Sequence, residues 1–225
     1  MTAPAQLSFD FDVRPAMGQE DFLVAPCNED AVAWIDSWPA WPASAICVYG
    51  PPGCGKTHLA NVWRTRSGAV NIAAGRLDAT NVADMLSDAP ACIVEDADAA
   101  AEETALLHLF NLLAERRGHL LLTAAQPPAR WDIKLDDLRS RLLAVPAVAI
   151  GAPDEGLLGA VMIKMFADRQ IQVPQDVLMY LVMRIERSFA SARRAVEELD
   201  RAALSAHRRL TVPLAREVLN DQNMA

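Results

Sequence analysis

The residues best suited by type and spacing to do chemistry begin at Gly50, where GPPGCGKT spells a complete G-x-x-x-x-G-K-[ST] loop. The chemistry this pattern implies is phosphate binding. Gly50, Gly53 and Gly55 free the backbone to turn successive N–H groups onto phosphate oxygens, with Pro51, Pro52 and Cys54 completing the cradle and His58 following it. Lys56 stands where it would bridge β- and γ-phosphates, and Thr57 where its hydroxyl would ligate Mg²⁺. The plainer alternative is a glycine turn that happens to end in Lys-Thr. A second group follows at Ala91–Asp96, ACIVED, an apolar run ending in two carboxylates. Beside the loop, Glu95 and Asp96 would both stand at the Mg²⁺, Glu95 joining Thr57 as a candidate metal ligand; one carboxylate would hold the metal through water and the other orient an attacking water. The same stretch, VEDADAAAEE, also reads as an acidic helix start that suits the helix dipole. Thr123 closes a third apolar run, either within reach of a γ-phosphate or simply ending a strand.

These groups need a strand, a loop and a helix in that order. Ala45–Tyr49 is a short apolar run and a helical pattern begins by His58, so the order is present. Further strand-like runs at Ala69–Ala73, Ala91–Val94, His119–Thr123 and Ala147–Ile150 alternate with helical patterns. One such pattern, Glu102–Arg116, carries Leu106, Leu109, Phe110 and Leu113 at helical spacing. Alternation of this kind predicts an α/β unit, a parallel five-stranded sheet between helices. Beyond Gly151–Pro153 the strand signal stops and four helical segments follow, Asp154–Asp168, Pro174–Ile185, Ser188–His207 and Pro213–Asn220. The expected organisation is a tail over 1–20, an α/β nucleotide-binding domain over 21–152 and a small all-helical domain over 153–225. Val13–Gln19, with turn residues and no period, reads as a tether.

Helical spacing also singles out arginines. Leu135, Leu138 and Leu142 predict a helical turn over Asp136–Leu143, with Arg139 and Arg141 flanking its buried face on opposite sides. Phe189, Ala192, Val196, Leu199 and Ala203 make one continuous stripe. Arg193 lies on the edge of that stripe and Arg194 points away from it. From the edge, Arg193 could reach bound phosphates or pair with Glu197 one turn on.

The 225 residues carry a net charge of −8 and are 52% hydrophobic. That balance argues against a surface that grips DNA phosphates broadly, because such a footprint is basic; direct DNA contact through a local patch stays open. The four cysteines show no C-x-x-C spacing, which points to reduced, buried thiols rather than a metal site. No segment has the length and apolarity of a membrane span, and the N-terminus lacks a signal pattern. A cytoplasmic protein is expected.

Phosphate loop, acidic strand end, polar third strand end and helical lid together resemble the AAA+ ATPases, and in detail the bacterial replication initiator DnaA. GKTHLA continues the loop as in DnaA. FLVAPCN, with Phe22, Val24 and Asn28, resembles the adenine-side segment. LLLTAAQPP resembles the third nucleotide motif, and DLRSRL the arginine-finger motif. The segments ADRQIQVPQDVLMYLVMRIERS and RLTVPLAREVL resemble the DnaA lid. DnaA's helix-turn-helix domain and large N-terminal domain have no counterpart here, a pattern similar to the Hda family, the regulatory inactivators of DnaA. In the tail, Gln6, Leu7, Ser8, Phe9 and Phe11 of QLSFDF resemble the sliding-clamp-binding motif. An extended peptide would set Leu7, Phe9 and Phe11 on one side, ready for an apolar groove; a strand packed on the protein's own body is the alternative.

The resemblance implies bound ADP or ATP with Mg²⁺, and as partners DnaA, the β-subunit sliding clamp and a second copy of the chain. It nominates Arg141 as the finger acting on a neighbour's ATP, and Arg193 as a phosphate sensor. Glu95 and Ala125 stand where DnaA carries aspartates, which implies weak hydrolysis of the chain's own ATP. The implied function is a clamp-docked regulator that promotes hydrolysis of DnaA-bound ATP and so limits initiation of replication. An autonomous ATPase of helicase or clamp-loader type, and a non-catalytic DnaA-binding adaptor, are the alternatives.

Overall fold

The computed structural model describes residues 13–14, 22–100, 102–206 and 209–222, and the chain divides into two compact units that part after Gly151. In the first, β1 (Val13–Arg14) pairs antiparallel with β2 (Phe22–Leu23), so the stretch expected as a tether contributes two residues to a small ribbon. Then follow α1 (Glu29–Asp36), β3 (Ala45–Tyr49), α2 (Lys56–Ser67), β4 (Val70–Ala73) and α3 (Val82–Leu86). The unit continues through β5 (Ala91–Glu95), α4 (Glu103–Glu115), β6 (His119–Ala124), α5 (Asp136–Ala144) and β7 (Ala147–Ala149).

The sheet is the five-stranded parallel one expected, in the order β4-β5-β6-β3-β7. Its three central strands are apolar runs because both faces are covered: Ile46, Cys47, Cys92, Ile93, Leu121 and Leu122 have no exposed surface. In α4, Leu106, Leu109, Phe110 and Leu113 are buried, each contributing about 1.5–3 kcal/mol of transfer free energy. The strand that feeds the phosphate loop, β3, lies between β6 and β7, so the loop emerges where neighbouring strands run apart in sequence. The helix that leaves the loop is held by aromatic packing, with Trp63 of α2 stacked on Trp41 at 5.2 Å and edge-on to Trp38.

The second unit contains α6 (Glu155–Ala167), α7 (Gln175–Val182), α8 (Phe189–Ala206) and α9 (Val212–Gln222). Its own core joins Leu158, Met162 and Phe166 of α6 to Leu181, Val196 and Leu199. The Asp154 carboxylate accepts the Leu157 N–H at 2.7 Å and caps α6. The Ser188 hydroxyl accepts the Ser191 N–H at the start of α8. Among the described residues no helix is long and apolar enough to cross a membrane.

Candidate functional site

The phosphate loop leaves β3 at Gly50, whose N–H donates to the Ala124 carbonyl at 3.1 Å. A Cβ on Gly50 would lie 2.4 Å from the Ile150 carbonyl oxygen and 3.0 Å from the Cys54 sulfur. Only glycine fits there. At the other end, Gly55 takes φ 102°, a left-handed conformation, and opens α2 with no side-chain cap. The first amides of α2 therefore point out of the helix with the positive end of its dipole. Pro51, Pro52 and Gly53 are exposed, Cys54 is buried, and His58 is half-buried in the first turn. Burial pushes the Cys54 thiol above its usual range against the opposing pull of the Lys56 ammonium, so it packs as a neutral group. The Lys56 ammonium lies across the loop, donating to the Gly50 carbonyl at 2.8 Å and the Pro51 carbonyl at 3.0 Å.

Thr57 and Glu95, far apart in sequence, meet in the structure. The Thr57 hydroxyl donates to Glu95 Oε2 at 2.9 Å, and Asn71 Nδ2 of β4 donates to Oε1 at 2.6 Å. A hydroxyl and a carboxylate held together fit Mg²⁺, which prefers few protein oxygens beside waters and phosphate oxygens. They do not make a self-sufficient cage: among the described residues no group of three or more His, Cys, Asp or Glu could hold a metal. Asp96 is exposed, with φ 54°, and its N–H donates to Thr123 Oγ1 at 3.2 Å.

Thr123 is 1% exposed within β6, one residue before the strand's end at Ala124. Its hydroxyl supports the Asp96 backbone. Asn28 is also buried, and its Oδ1 accepts the Ala25 N–H at 2.9 Å. It shapes the turn before α1, with Val24 half-buried beside it. Phe22 is described by backbone alone, and Gln6, Leu7, Ser8, Phe9 and Phe11 lie outside the described residues.

The acidic run does more than approach a metal. Asp98 Oδ2 accepts the Ala125 N–H at 2.8 Å and the Gln126 N–H at 3.3 Å, tying down the loop after β6. Glu102 Oε2 accepts the Ala79 N–H at 3.1 Å. Glu103 accepts the Lys134 and Leu135 N–H groups at 3.0 and 2.8 Å, and those bonds hold its carboxyl below the usual range. Asn71, Asp98 and Glu103 were missed from sequence. The only signal for the last two was the run of acids, which a helix start explains equally well.

The two arginines of α5 differ. Arg139 pairs with Asp136 at 2.9 Å and donates from Nε to the Ile133 carbonyl at 3.1 Å. Arg141 is exposed and makes no hydrogen bond or ion pair with the described residues. In the helical unit Arg193 is likewise exposed and unpaired among the described residues, because Glu197 is taken by Arg169 at 3.7 Å. Arg194 reaches the Ser191 hydroxyl at 3.5 Å.

Comparison with known proteins adds two findings. Residues 159–219 match the family model described as "Hda, lid domain". Among solved structures, the chain is similar to domain III of the replication initiation protein DnaA from Thermotoga maritima. There the TM-score is 0.75 at 20% identity, over 93% of this chain and 98% of that one. AMPPCP-bound DnaA from Aquifex aeolicus matches with TM-score 0.66 and 19% identity, over 85% of this chain and 66% of that one. A mutant of RuvB from Thermotoga maritima gives 0.72 at 11% identity, over 88% of this chain and 69% of that one. At these identities the solved structures establish the fold: a DnaA-type AAA+ α/β unit followed by a helical lid.

Proposed function

We propose that this chain, with an Hda-type lid match over residues 159–219 and the fold of DnaA domain III, is an Hda-like regulator that binds an adenine nucleotide and acts on ATP held by DnaA. Nucleotide binding rests on the loop geometry. Gly50 and Gly55 permit the cradle, the α2 amides supply donors, and Thr57 with Glu95 would hold Mg²⁺. When bound, the cation would neutralise charge on the phosphate oxygens. Lys56 would leave its two carbonyls for the phosphates. Asp96, exposed and with its backbone N–H held by Thr123, is the group left to accept a proton from water. Arg193 would sense the phosphates from the lid. Glu95 and Ala125, where DnaA carries aspartates, favour a resting state with ADP and slow turnover of the chain's own ATP. Docking on the DNA-loaded clamp would come from Gln6 with Leu7, Ser8, Phe9 and Phe11, and a second copy of the chain is a further partner.

The observation that carries the in-trans reading is the contrast within α5. Arg139 is consumed by its own helix turn, whereas Arg141 is presented with nothing of this chain's described residues to bind. A free guanidinium of that kind stabilises charge on a neighbour's transferring phosphoryl group. The test is hydrolysis of DnaA-bound ATP, with and without clamp loaded on DNA. Wild type should stimulate only with loaded clamp, and Arg141→Ala should lose about 10³-fold or more of the stimulated rate. Full inhibition of DnaA by Arg141→Ala would turn the reading to occlusion by an adaptor.

A further inference from the structure

Arg141 makes no hydrogen bond or ion pair with the described residues, yet its direction is not free. Leu138 and Leu142, one turn apart and 0% and 1% exposed, fix the rotation of α5 about its own axis. What remains is where the helix begins, and that is settled by a clamp on the turn Ile133–Asp136. From one side the Glu103 carboxylate takes the Lys134 N–H with both oxygens at 3.0 Å and the Leu135 N–H at 2.8 Å. From the other the Arg139 guanidinium takes the Ile133 carbonyl and the Asp136 carboxylate. Glu103 itself opens α4, a helix whose Leu106, Leu109 and Leu113 are almost wholly buried, so the anchor stands on a rigid element. The connection also runs back to the phosphate loop. Glu103 ends the acidic run that starts at Glu95 on Thr57 and continues through Asp98 on the loop after β6.

We propose that Glu103 is the positioning residue for Arg141: it docks the start of α5 on α4 and so sets where the arginine is presented to a partner's nucleotide. This rests on the in-trans reading above. Glutamine in its place keeps the size but turns an amide donor toward backbone N–H groups that need an acceptor. A small misplacement of a charge-stabilising group costs rate without costing association.

The experiment uses the full chain, ATP-loaded DnaA and clamp loaded on DNA. It reads the maximal stimulated rate, the chain concentration giving half of it, and the chain's affinity for fluorescent mant-ADP. For Glu103→Gln the maximal rate should fall about 10- to 100-fold, while half-saturation and mant-ADP affinity stay within about 2-fold. Glu103→Asp, a shorter carboxylate, should recover part of that loss. A Glu103→Gln protein as fast as wild type overturns the proposal. So does a loss matched by an equal loss of mant-ADP affinity, which would make the residue a general support of the fold. Should Glu103→Gln not fold, Arg139→Gln decides, since that half-exposed side chain is the other jaw of the clamp and should give the same split. If Arg141→Ala retains wild-type rate, the in-trans reading fails; if it is inactive and Glu103→Gln is normal, only the role of Glu103 fails.

Discussion

Glu95 is held from two sides, by the Thr57 hydroxyl on one oxygen and by Asn71 on the other. The Asn71 bond gives the carboxylate a fixed direction before any cation arrives. Asn71→Ala should therefore weaken Mg²⁺-dependent mant-ADP binding about 3- to 10-fold, the worth of one hydrogen bond to a charged group at an exposed position. Titrations with and without Mg²⁺ measure it, and an unchanged ratio between them would show that Glu95 needs no guide. At this scale the meeting of Thr57 with Glu95 was legible, because a phosphate loop and an acidic strand end belong side by side on a parallel sheet. The part of Asn71 was not legible, since it is a single polar residue in a short strand with no spacing to mark it. The bond from the Asp96 N–H to the Thr123 hydroxyl was not legible either, because one of its partners is a backbone group.

Among the elements, the phosphate loop depends on an approach closer than any side chain tolerates. Gly50→Ala would drive a methyl against the Ile150 carbonyl at the end of the sheet. The substitution should cost about 1–3 kcal/mol of stability and lower mant-ADP affinity at least about 10-fold. Thermal unfolding and nucleotide titration on one preparation separate the two. An alanine variant that binds normally would mean the loop adopts another path. The three central strands β3, β5 and β6 could be read in advance because burial on both faces demands continuous apolar runs, while the edge strands β4 and β7 bury only alternate residues. Helices α1 and α3 could not: one buries Ala31, Val32 and Ile35 over eight residues, and the other spans only five. The first offers three buried positions within about one turn and the second barely more than one turn in all, too little to set either apart from a loop.

Taken whole, the molecule has two cores, one around the sheet and one within the lid. Phe166 is fully buried in the second, so Phe166→Ala should destabilise that unit by about 3–5 kcal/mol. Hydrogen exchange followed by mass spectrometry should show lost protection in α6 to α9 with the sheet unchanged. Protection lost equally from β3 and β6 would mean that the two cores melt together. The division into an alternating part and a helical part was legible, since periodicity changes from one to the other near Gly151. The clamp on α5 was not, because it consists of backbone N–H groups, which a sequence does not display.

Lys56 has a consequence for how this protein greets its ligand. Its ammonium already satisfies two carbonyls of its own loop, at 2.8 and 3.0 Å. On the proposed reading, nucleotide binding would be an exchange of partners: phosphate oxygens would take the ammonium, and the Gly50 and Pro51 carbonyls would lose it. The loop's own carbonyls are thus the acceptors that a phosphate would have to displace.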